Sequence, residues 1–255
     1  MTQQISVALL PKLTDPQSVE GQTVVVTDVL RATTTIISAL NNGVRQVIPT
    51  PTIPGALELK AQLGETAILG GERGGVIIPG FHNGNSPREF TPELVREREL
   101  VLCTTNGTVA MESCRGAERV LIGAFVNLTA VVQKLASVSR VLVICAGTGG
   151  KITSEDCLFA GAVVERLVEH HRGSAALDDQ AQIALGWWQA ASLRVARGEL
   201  LSDILGEGLG GRNLLKLKYD EDIRFCAEID RLPVVPELDT GEWRIRMTST
   251  REEEG

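Results

Sequence analysis

The chain is poor in aromatic residues and has no long apolar run. Phe, Trp and Tyr make up 4% of its 255 residues, whereas hydrophobic residues make up 43%, so we expect a core built from aliphatic side chains. The longest apolar run, residues 158–164, is far shorter than the ~20 residues that a membrane-spanning helix needs. The N-terminus lacks the basic flank of a signal peptide. We therefore predict a protein without a membrane partner.

Basic residues are not in excess either. Lys and Arg number 25 against 32 Asp and Glu, which gives a net charge of −7. Because nucleic-acid binders usually carry a basic surplus or stripe, a nucleic-acid partner is disfavoured. The five cysteines form no C-x-x-C pair, so common zinc and thioredoxin-like motifs are excluded. Reduced core cysteines are typical of a cytoplasmic protein, and that is the location we predict.

Short β-branched runs alternate with helical segments through the first 170 residues. Such alternation predicts an α/β fold with a mixed, largely parallel sheet and helices on both faces. We expect a single α/β domain over residues 1–255, mostly helical from about residue 178, with a break at residues 206–211 and two terminal strands. Strands are expected at residues 5–10, 23–29, 44–48, 66–69, 99–104, 119–122, 140–145, 234–238 and 242–247.

Polar or glycine-rich segments follow four of the predicted strands. These segments begin near Asp28, Gly70, Thr104 and Ala146. Ligands of open α/β sheets bind just beyond the carboxyl ends of the strands, so we expect the four segments to line one crevice. The long polar stretch at residues 74–92 has no regular period, and a loop of that length in a compact domain is usually functional or disordered.

The residue types in these segments suit a small anion held together with a divalent cation. Asp28 and Glu72 are carboxylates suited to Mg²⁺, while Arg31, Arg73 and Arg88 are suited to phosphate or carboxylate groups. Each residue also has a plain structural interpretation: Asp28 can simply cap a helix, and Glu72 with Arg73 can be a solvated turn pair. The functional interpretation depends on four such clusters occurring at four strand ends.

Familiar phosphate-binding motifs are incomplete in this chain. The segment after Gly147 contains Lys151, but Ile152 stands where a P-loop requires Ser or Thr. A cysteine phosphatase places Arg six positions after its Cys, and Lys151 occupies that position after Cys145. Leu30 interrupts the D-x-D pattern of phospho-aspartate enzymes after Asp28. These nucleotide-binding and phosphoenzyme mechanisms are therefore disfavoured.

Five ordered segments resemble the 2-phosphosulfolactate phosphatase family. They are DVLRATTTI (28–36), GERGG (71–75), GFHNGNSPREF (80–90), CTTNGT (103–108) and CAGTGG…SEDCLFAG (145–161). The resemblance implies an α/β fold with a mixed sheet. It also implies Mg²⁺-dependent hydrolysis of phosphate esters of 2-hydroxycarboxylic acids. The named substrate is 2-phosphosulfolactate, on a route to coenzyme M.

We assign roles to residues of these segments from their chemistry. One arginine is expected to clamp the phosphoryl group, and the long loop is expected to read the carboxylate or sulfonate. Neighbouring helical residues point about 100° apart, so we expect only one of Glu155 and Asp156 to face the metal. The candidate metal ligands are Asp28, Glu72 and Glu155. The candidate catalytic residues are Asp28, Arg31, Glu72, Arg73, Asn106 and Asp156, the last as a base or a further ligand. The candidate substrate-binding residues are Thr33, Asn85, Ser86, Arg88, Thr105, Gly107 and Gly147.

Three other functions stay open at this stage. The chain could hydrolyse a different phosphoester, or it could be a non-catalytic binder or sensor of an anionic phosphorylated metabolite. It could also be an assembly protein, because Trp187 and Trp188 are typical of a helix docking site or an oligomer contact. The partner we expect is a small anionic phosphoester, with a homo-oligomer left open.

Overall fold

The computed structural model describes residues 2–247 and consists of eleven strands and eleven α-helices over that range. The strands are β1 (Gln4–Ala8), β2 (Thr23–Thr27), β3 (Gln46–Pro49), β4 (Ala67–Arg73), β5 (Val76–Ile77), β6 (Glu99–Cys103), β7 (Arg119–Gly123), β8 (Arg140–Cys145), β9 (Ala176–Leu177), β10 (Pro236–Asp239) and β11 (Arg244–Met247). The helices are α1 (Pro16–Val19), α2 (Ala32–Asn41), α3 (Ile53–Leu63), α4 (Pro92–Val95), α5 (Gly107–Glu112), α6 (Leu128–Leu135), α7 (Ser154–His170), α8 (Asp179–Ala196), α9 (Leu201–Glu207), α10 (Leu209–Lys216) and α11 (Asp220–Cys226).

The strands lie in the order β5-β4-β6-β3-β11-β10-β7-β2-β8-β1-β9. Two parallel groups, β4-β6-β3 and β7-β2-β8-β1-β9, are joined by the antiparallel hairpin of β10 and β11. The hairpin meets each group through one residue pair, Glu237 with Leu121 and Ile245 with Val47. The prediction of a mixed, largely parallel sheet is confirmed.

Helices cover both faces of the central strand β2. Successive side chains of a strand point to opposite faces, and here Val24 and Val26 join one apolar cluster with Ile36 of α2. Val25, between them, joins another cluster with Phe159 of α7. All these side chains are fully buried. A strand that is buried on both faces is hydrophobic at successive positions. This explains the run of Val at residues 24–26, within the predicted strand at residues 23–29.

Two strands, β4 and β9, depart from the predicted elements. β4 runs on to Arg73 because Glu72 and Arg73 pair with β5, so part of the expected loop at residues 74–92 is a short hairpin. β9 has two residues that pair with β1, and it is too short to leave a periodic signal. The helical region predicted after residue 178 is observed as α8–α11, and the predicted break at residues 206–211 lies at Gly208, which separates α9 from α10.

The two longest helices, α7 and α8, pack closely at Gly161. A Cβ added at Gly161 would lie 2.6 Å from the Cβ of Trp188 and closer still to the carbonyl oxygen of Ala184. The Trp188 indole is buried and donates to the Glu165 carboxylate (2.6 Å), whereas Trp187 is exposed. Between residues 2 and 247, no helix has both the length and the hydropathy to cross a membrane.

We predict that Gly161→Ala destabilises the fold by about 1–3 kcal/mol, because the added methyl group overpacks the contact between α7 and α8. In a chain of this size that corresponds to a fall in melting temperature of roughly 2–4 °C per kcal/mol. Gly186→Ala is the matched control, because Gly186 lies within α8 and its added Cβ meets nothing within 4 Å. That variant should gain roughly 0.5–1 kcal/mol of helix stability. Calorimetric melting of both variants tests the packing, and equal melting temperatures would contradict it.

Candidate active site

A pocket of about 230 Å³ lies where the segments that end or follow β2, β4, β6 and β8 meet. It is lined by Asp28, Leu30, Arg31, Glu72, Gly74, Gly75, Asn85, Thr105, Asn106, Thr148, Gly149, Gly210, Asn213, Leu214 and Leu217. The expectation that four polar strand ends line one crevice is confirmed. The last four residues come from α10 and the residue that follows it, a wall that the sequence analysis missed. Since drug-sized ligands occupy about 300–1,000 Å³, the volume suits a small metabolite.

Asp28 follows β2 directly and lies against the pocket with most of its surface buried. Its Oδ1 accepts the N–H of Ala32, in the first turn of α2, at 3.3 Å. The Thr33 hydroxyl donates to the Asp28 carbonyl oxygen (2.9 Å) and accepts the Asp28 N–H (3.0 Å). Thr33 is thus placed behind Asp28, where it holds the turn rather than lining the pocket.

Burial raises the pKa of Asp28 to about 7. Desolvation is the largest cause, and the nearby charges of Glu72 and Glu155 raise the pKa further. The hydrogen bond from Ala32 and the charge of Arg31 lower it. Asp28 is therefore a carboxyl group whose ionised form needs an additional positive charge beside it.

Glu72, in β4, faces the pocket and ties two segments together. Its Oε1 accepts the N–H of Thr105 (2.9 Å), which follows β6, and its Oε2 accepts the N–H of Gly75 (2.7 Å). Thr105 itself is exposed at the mouth of the pocket. The carboxylate of Glu72 therefore fixes the β4–β5 turn against the segment that follows β6.

Arg31 is the cation among the lining residues, and its guanidinium is held from three sides. Nη1 donates to Oδ2 of Asp222 (2.6 Å), and Nη2 donates to the carbonyl oxygen of Gly75 (3.0 Å). The Tyr219 ring lies beneath it, with 4.3 Å between Cζ and the ring centroid. The side chains of Arg31 and Asp222 are each 2% exposed. Sequence reasoning missed Asp222 and Tyr219, because acids at a helix start are typical of dipole pairing.

Three asparagines also line the pocket, namely Asn85, Asn106 and Asn213. Oδ1 of Asn85 is buried and has no hydrogen-bond partner within the described structure, while the backbone carbonyl of Asn85 accepts the Thr35 hydroxyl (2.9 Å). Oδ1 of Asn106 accepts the N–H of Gly149 (3.0 Å), which joins the segments after β6 and β8. The unpartnered amide oxygen of Asn85 is available to a ligand.

Gly107 and Gly147 stand behind the lining residues. A Cβ at Gly107 would lie 2.8 Å from the Ala32 Cβ and 3.1 Å from Oδ2 of Asp28, so glycine lets the start of α5 approach Asp28. Gly147 has φ of +65° and no space for a Cβ against Lys151. Both predicted substrate-binding glycines therefore serve close backbone packing here.

The two acids of α7 lie below the pocket and do not line it. Asp156 is buried, and its carboxylate accepts the N–H groups of Val29 (2.8 Å) and Gly147 (2.9 Å). Burial first, and then the charges of Asp28 and Glu155, raise the pKa of Asp156 well above its ordinary value. The structure thus places Asp156 as a tie between the segments after β2 and β8, and not where a base would meet a ligand.

Glu155 is packed against α10, so closely that a Cβ at Gly210 would overlap its carboxylate. Burial is the main cause that raises the pKa of Glu155. Across residues 2–247, no three Asp, Glu, His or Cys side chains are grouped to hold a metal ion. The expected trio of Asp28, Glu72 and Glu155 is therefore not brought together, because Glu155 lies outside the pocket.

Three further residues of the predicted set point elsewhere. Arg73 donates to the carbonyl oxygens of Glu72 and Pro51 (2.8 Å each) and so faces away from the pocket. Ser86 is buried behind Arg31, where its hydroxyl donates to Oδ1 of Asp222 (2.7 Å). Arg88 is exposed on a separate groove of about 370 Å³. The structure does not bring Arg73, Ser86 or Arg88 to the pocket.

A family model described as 2-phosphosulpholactate phosphatase matches residues 8–241, a range that includes every residue lining the pocket. The chain belongs to this family. Within the family it is similar to a probable 2-phosphosulfolactate phosphatase of Thermotoga maritima, with 39% identity over 223 residues, which are 88% of this chain and 92% of the relative.

Two further relatives carry the same name. The protein of Caldanaerobacter subterraneus subsp. tengcongensis is 35% identical over 227 residues, which are 88% of this chain and 91% of the relative. The protein of Clostridium acetobutylicum is 32% identical over 227 residues, which are 89% of this chain and 93% of the relative. The family model and these relatives therefore match most of the chain, and the resemblance seen in the five sequence segments is confirmed.

We predict that Asp28→Asn stabilises the metal-free protein relative to wild type, and more so as the pH rises. A carboxyl group whose pKa is raised by folding loses its stabilising contribution as pH climbs from its unfolded pKa, near 4, through about 7. The asparagine variant has no proton to lose at this position. Thermal melts in EDTA between pH 4 and pH 8 measure the difference in melting temperature. A difference that stays constant over this range would contradict the raised pKa.

Proposed function

We propose that the chain is a phosphoric monoester hydrolase that converts 2-phosphosulfolactate to sulfolactate and phosphate. The observation that supports this most is that eleven of the fifteen residues lining the pocket lie in the five ordered segments on which the family resemblance rests. The relatives named probable 2-phosphosulfolactate phosphatase each match 88% of the chain. The small volume of the pocket suits a substrate with a three-carbon skeleton.

The charge of the pocket points to a bound cation. The lining contains two carboxylates, those of Asp28 and Glu72, and one guanidinium, that of Arg31. It therefore carries one net negative charge when both acids are ionised. A substrate with phosphate, sulfonate and carboxylate groups would be repelled by such a lining. We therefore propose that a divalent cation, Mg²⁺, binds with the substrate.

The oxygen atoms at the pocket fit Mg²⁺. This ion is usually held by one or two carboxylates together with substrate phosphates and water, which is what Asp28 and Glu72 offer. The unpartnered Oδ1 of Asn85 is a further hard oxygen donor. When bound, the ion would neutralise phosphoryl charge and favour an attacking water.

The protein's own groups would bind and orient the ester. Arg31 has five N–H donors, and with one bond to Asp222 and one to Gly75 it retains donors for phosphoryl oxygens. Asn106 and Asn213 line the pocket as uncharged hydrogen-bonding side chains, while Leu214 forms an apolar part of its wall. Binding in this pocket would hold the ester at a fixed distance from the attacking water.

The pathway and compartment follow from this proposal. With 2-phosphosulfolactate as substrate, the enzyme would act on a route to coenzyme M. All five cysteines are buried and free, as is usual where glutathione and thioredoxin keep thiols reduced. That supports the proposal of a cytoplasmic enzyme.

The direct test is phosphate release from 2-phosphosulfolactate, phospholactate and phosphoglycolate, each assayed with Mg²⁺ and with EDTA. We expect metal-dependent release that is fastest on 2-phosphosulfolactate. Faster release from another ester would keep the hydrolase and change the substrate. If the folded protein released no phosphate from any ester while still binding one, the chain would be a binder or sensor of an anionic metabolite.

We predict that Asp28→Asn lowers kcat/KM at least tenfold, about 1.4 kcal/mol of transition-state stabilisation, because the variant loses a carboxylate facing the phosphoryl site. Arg88→Ala serves as the control, since Arg88 is exposed on the other groove, and its kcat/KM should stay within twofold of wild type. Steady-state phosphate release gives both values. Near wild-type turnover by Asp28→Asn would remove Asp28 from the site, and a large rise in KM for Arg88→Ala would place Arg88 in it.

A further inference from the structure

We propose that Asp222, in the first turn of α11, is a positioning residue for the phosphatase reaction and acts through Arg31. The inference rests on the proposed function, in which Arg31 binds the phosphoryl group. It assigns a role to a helix that contributes no residue to the pocket lining. The juxtaposition that carries it is a buried carboxylate bonded at one oxygen to Arg31 and at the other to Ser86.

Two residues at the start of α11 fix the guanidinium in two directions. Oδ2 of Asp222 accepts a hydrogen bond from Nη1 (2.6 Å), and the Tyr219 ring, three residues earlier, lies against one face of the guanidinium with 4.3 Å between Cζ and the ring centroid. Tyr219 directly precedes α11, so the start of this helix presents both groups to Arg31. The Gly75 carbonyl oxygen then fixes Nη2. A long flexible side chain is thereby held in one orientation at the edge of the pocket.

The other carboxylate oxygen of Asp222 also positions the loop that contains Asn85 and Ser86. Oδ1 accepts the Ser86 hydroxyl at 2.7 Å, and Ser86 directly follows Asn85, which lines the pocket. Asp222 therefore sets the position of Arg31 and of the segment that carries Asn85 at once. An asparagine at this position keeps a side-chain oxygen that can accept the Ser86 hydroxyl, so Asp222→Asn removes the charge beside Arg31 and leaves an acceptor for Ser86.

Stability alone is a weak reason to keep this pair. Both side chains are almost wholly buried, and replacing a buried ion pair by apolar residues of similar size is often neutral or stabilising. A charge-bearing arrangement is required, however, if the free N–H groups of Arg31 must face an anion in a set direction. The geometry thus indicates that the carboxylate of Asp222 serves to orient Arg31.

The test is a double-mutant cycle of Asp222→Asn and Arg31→Gln, with phosphate release from 2-phosphosulfolactate as the readout and thermal melting as the check on folding. Asp220→Asn is the matched control, because Asp220 lies in the same first turn of α11 but is exposed. Both substitutions remove one acid from the same helix start, so any effect through the helix dipole is shared.

We expect Asp222→Asn to lower kcat/KM by 10- to 100-fold and Asp220→Asn to leave it within twofold. In the Arg31→Gln background, Asp222→Asn should change kcat/KM by less than twofold, because the residue it positions is already gone. Wild-type activity in a folded Asp222→Asn protein would overturn the proposal. A double variant whose loss of kcat/KM equals the product of the two single losses would overturn it as well.

Failure of the proposed function would be recognised separately, because the wild type would then release no phosphate. In that case the same four proteins of the cycle are titrated with inorganic phosphate by calorimetry. Asp222→Asn should weaken phosphate binding at least fivefold when Arg31 is present and leave it unchanged in the Arg31→Gln background. Equal binding by wild type and Asp222→Asn would overturn the positioning role whatever the reaction.

Discussion

Buried carboxylates that accept backbone N–H groups hold the pocket together. Asp156 joins the segments after β2 and β8 through Val29 and Gly147, and Glu72 joins the β4–β5 turn to the segment after β6. A carboxylate taken out of water is costly unless hydrogen bonds replace its hydration. The two acids are therefore stable in the interior only while the segments that donate these N–H groups keep their positions. The shape of the pocket depends on that mutual requirement.

The same acids create an electrostatic conflict at the pocket. The charges of Glu72 and Glu155 raise the pKa of Asp28, and those of Asp28 and Glu155 raise the pKa of Asp156. Neighbouring carboxylates thus add to the burial that raises the pKa of Asp28 and Asp156, and the site is costly to maintain without a positive partner. Such strain at functional sites is commonly balanced by stability elsewhere in the fold. The proposed cation would relieve the repulsion and would at the same time make the pocket suitable for an anionic ester.

The sequence predicts the sheet and the meeting of four strand ends, because hydrophobic periodicity and strand-end polarity are local signals. It does not show where a polar side chain points. The predicted β4 ends at residue 69, whereas the observed strand continues through Arg73. Side chains alternate along a strand, so Glu72 faces the pocket and Arg73 faces Pro51. A longer predicted strand would have separated these two residues. On α7 the angular argument allowed one acid to face a metal, yet neither lines the pocket, because Asp156 is taken up by the loop N–H groups.

The wall formed by α10 and the support from α11 had no local signal at all. Arg31 and Asp222 are 191 residues apart, and the acids that open α11 match the ordinary pattern of a helix N-terminus. Their pairing arises because the C-terminal helices fold back over the strand ends and bury the guanidinium. Once buried, Arg31 requires a counter-charge, and Asp222 supplies it from the helix that packs there. A residue can thus set the chemistry of a pocket that it does not line, and only the tertiary structure reveals it.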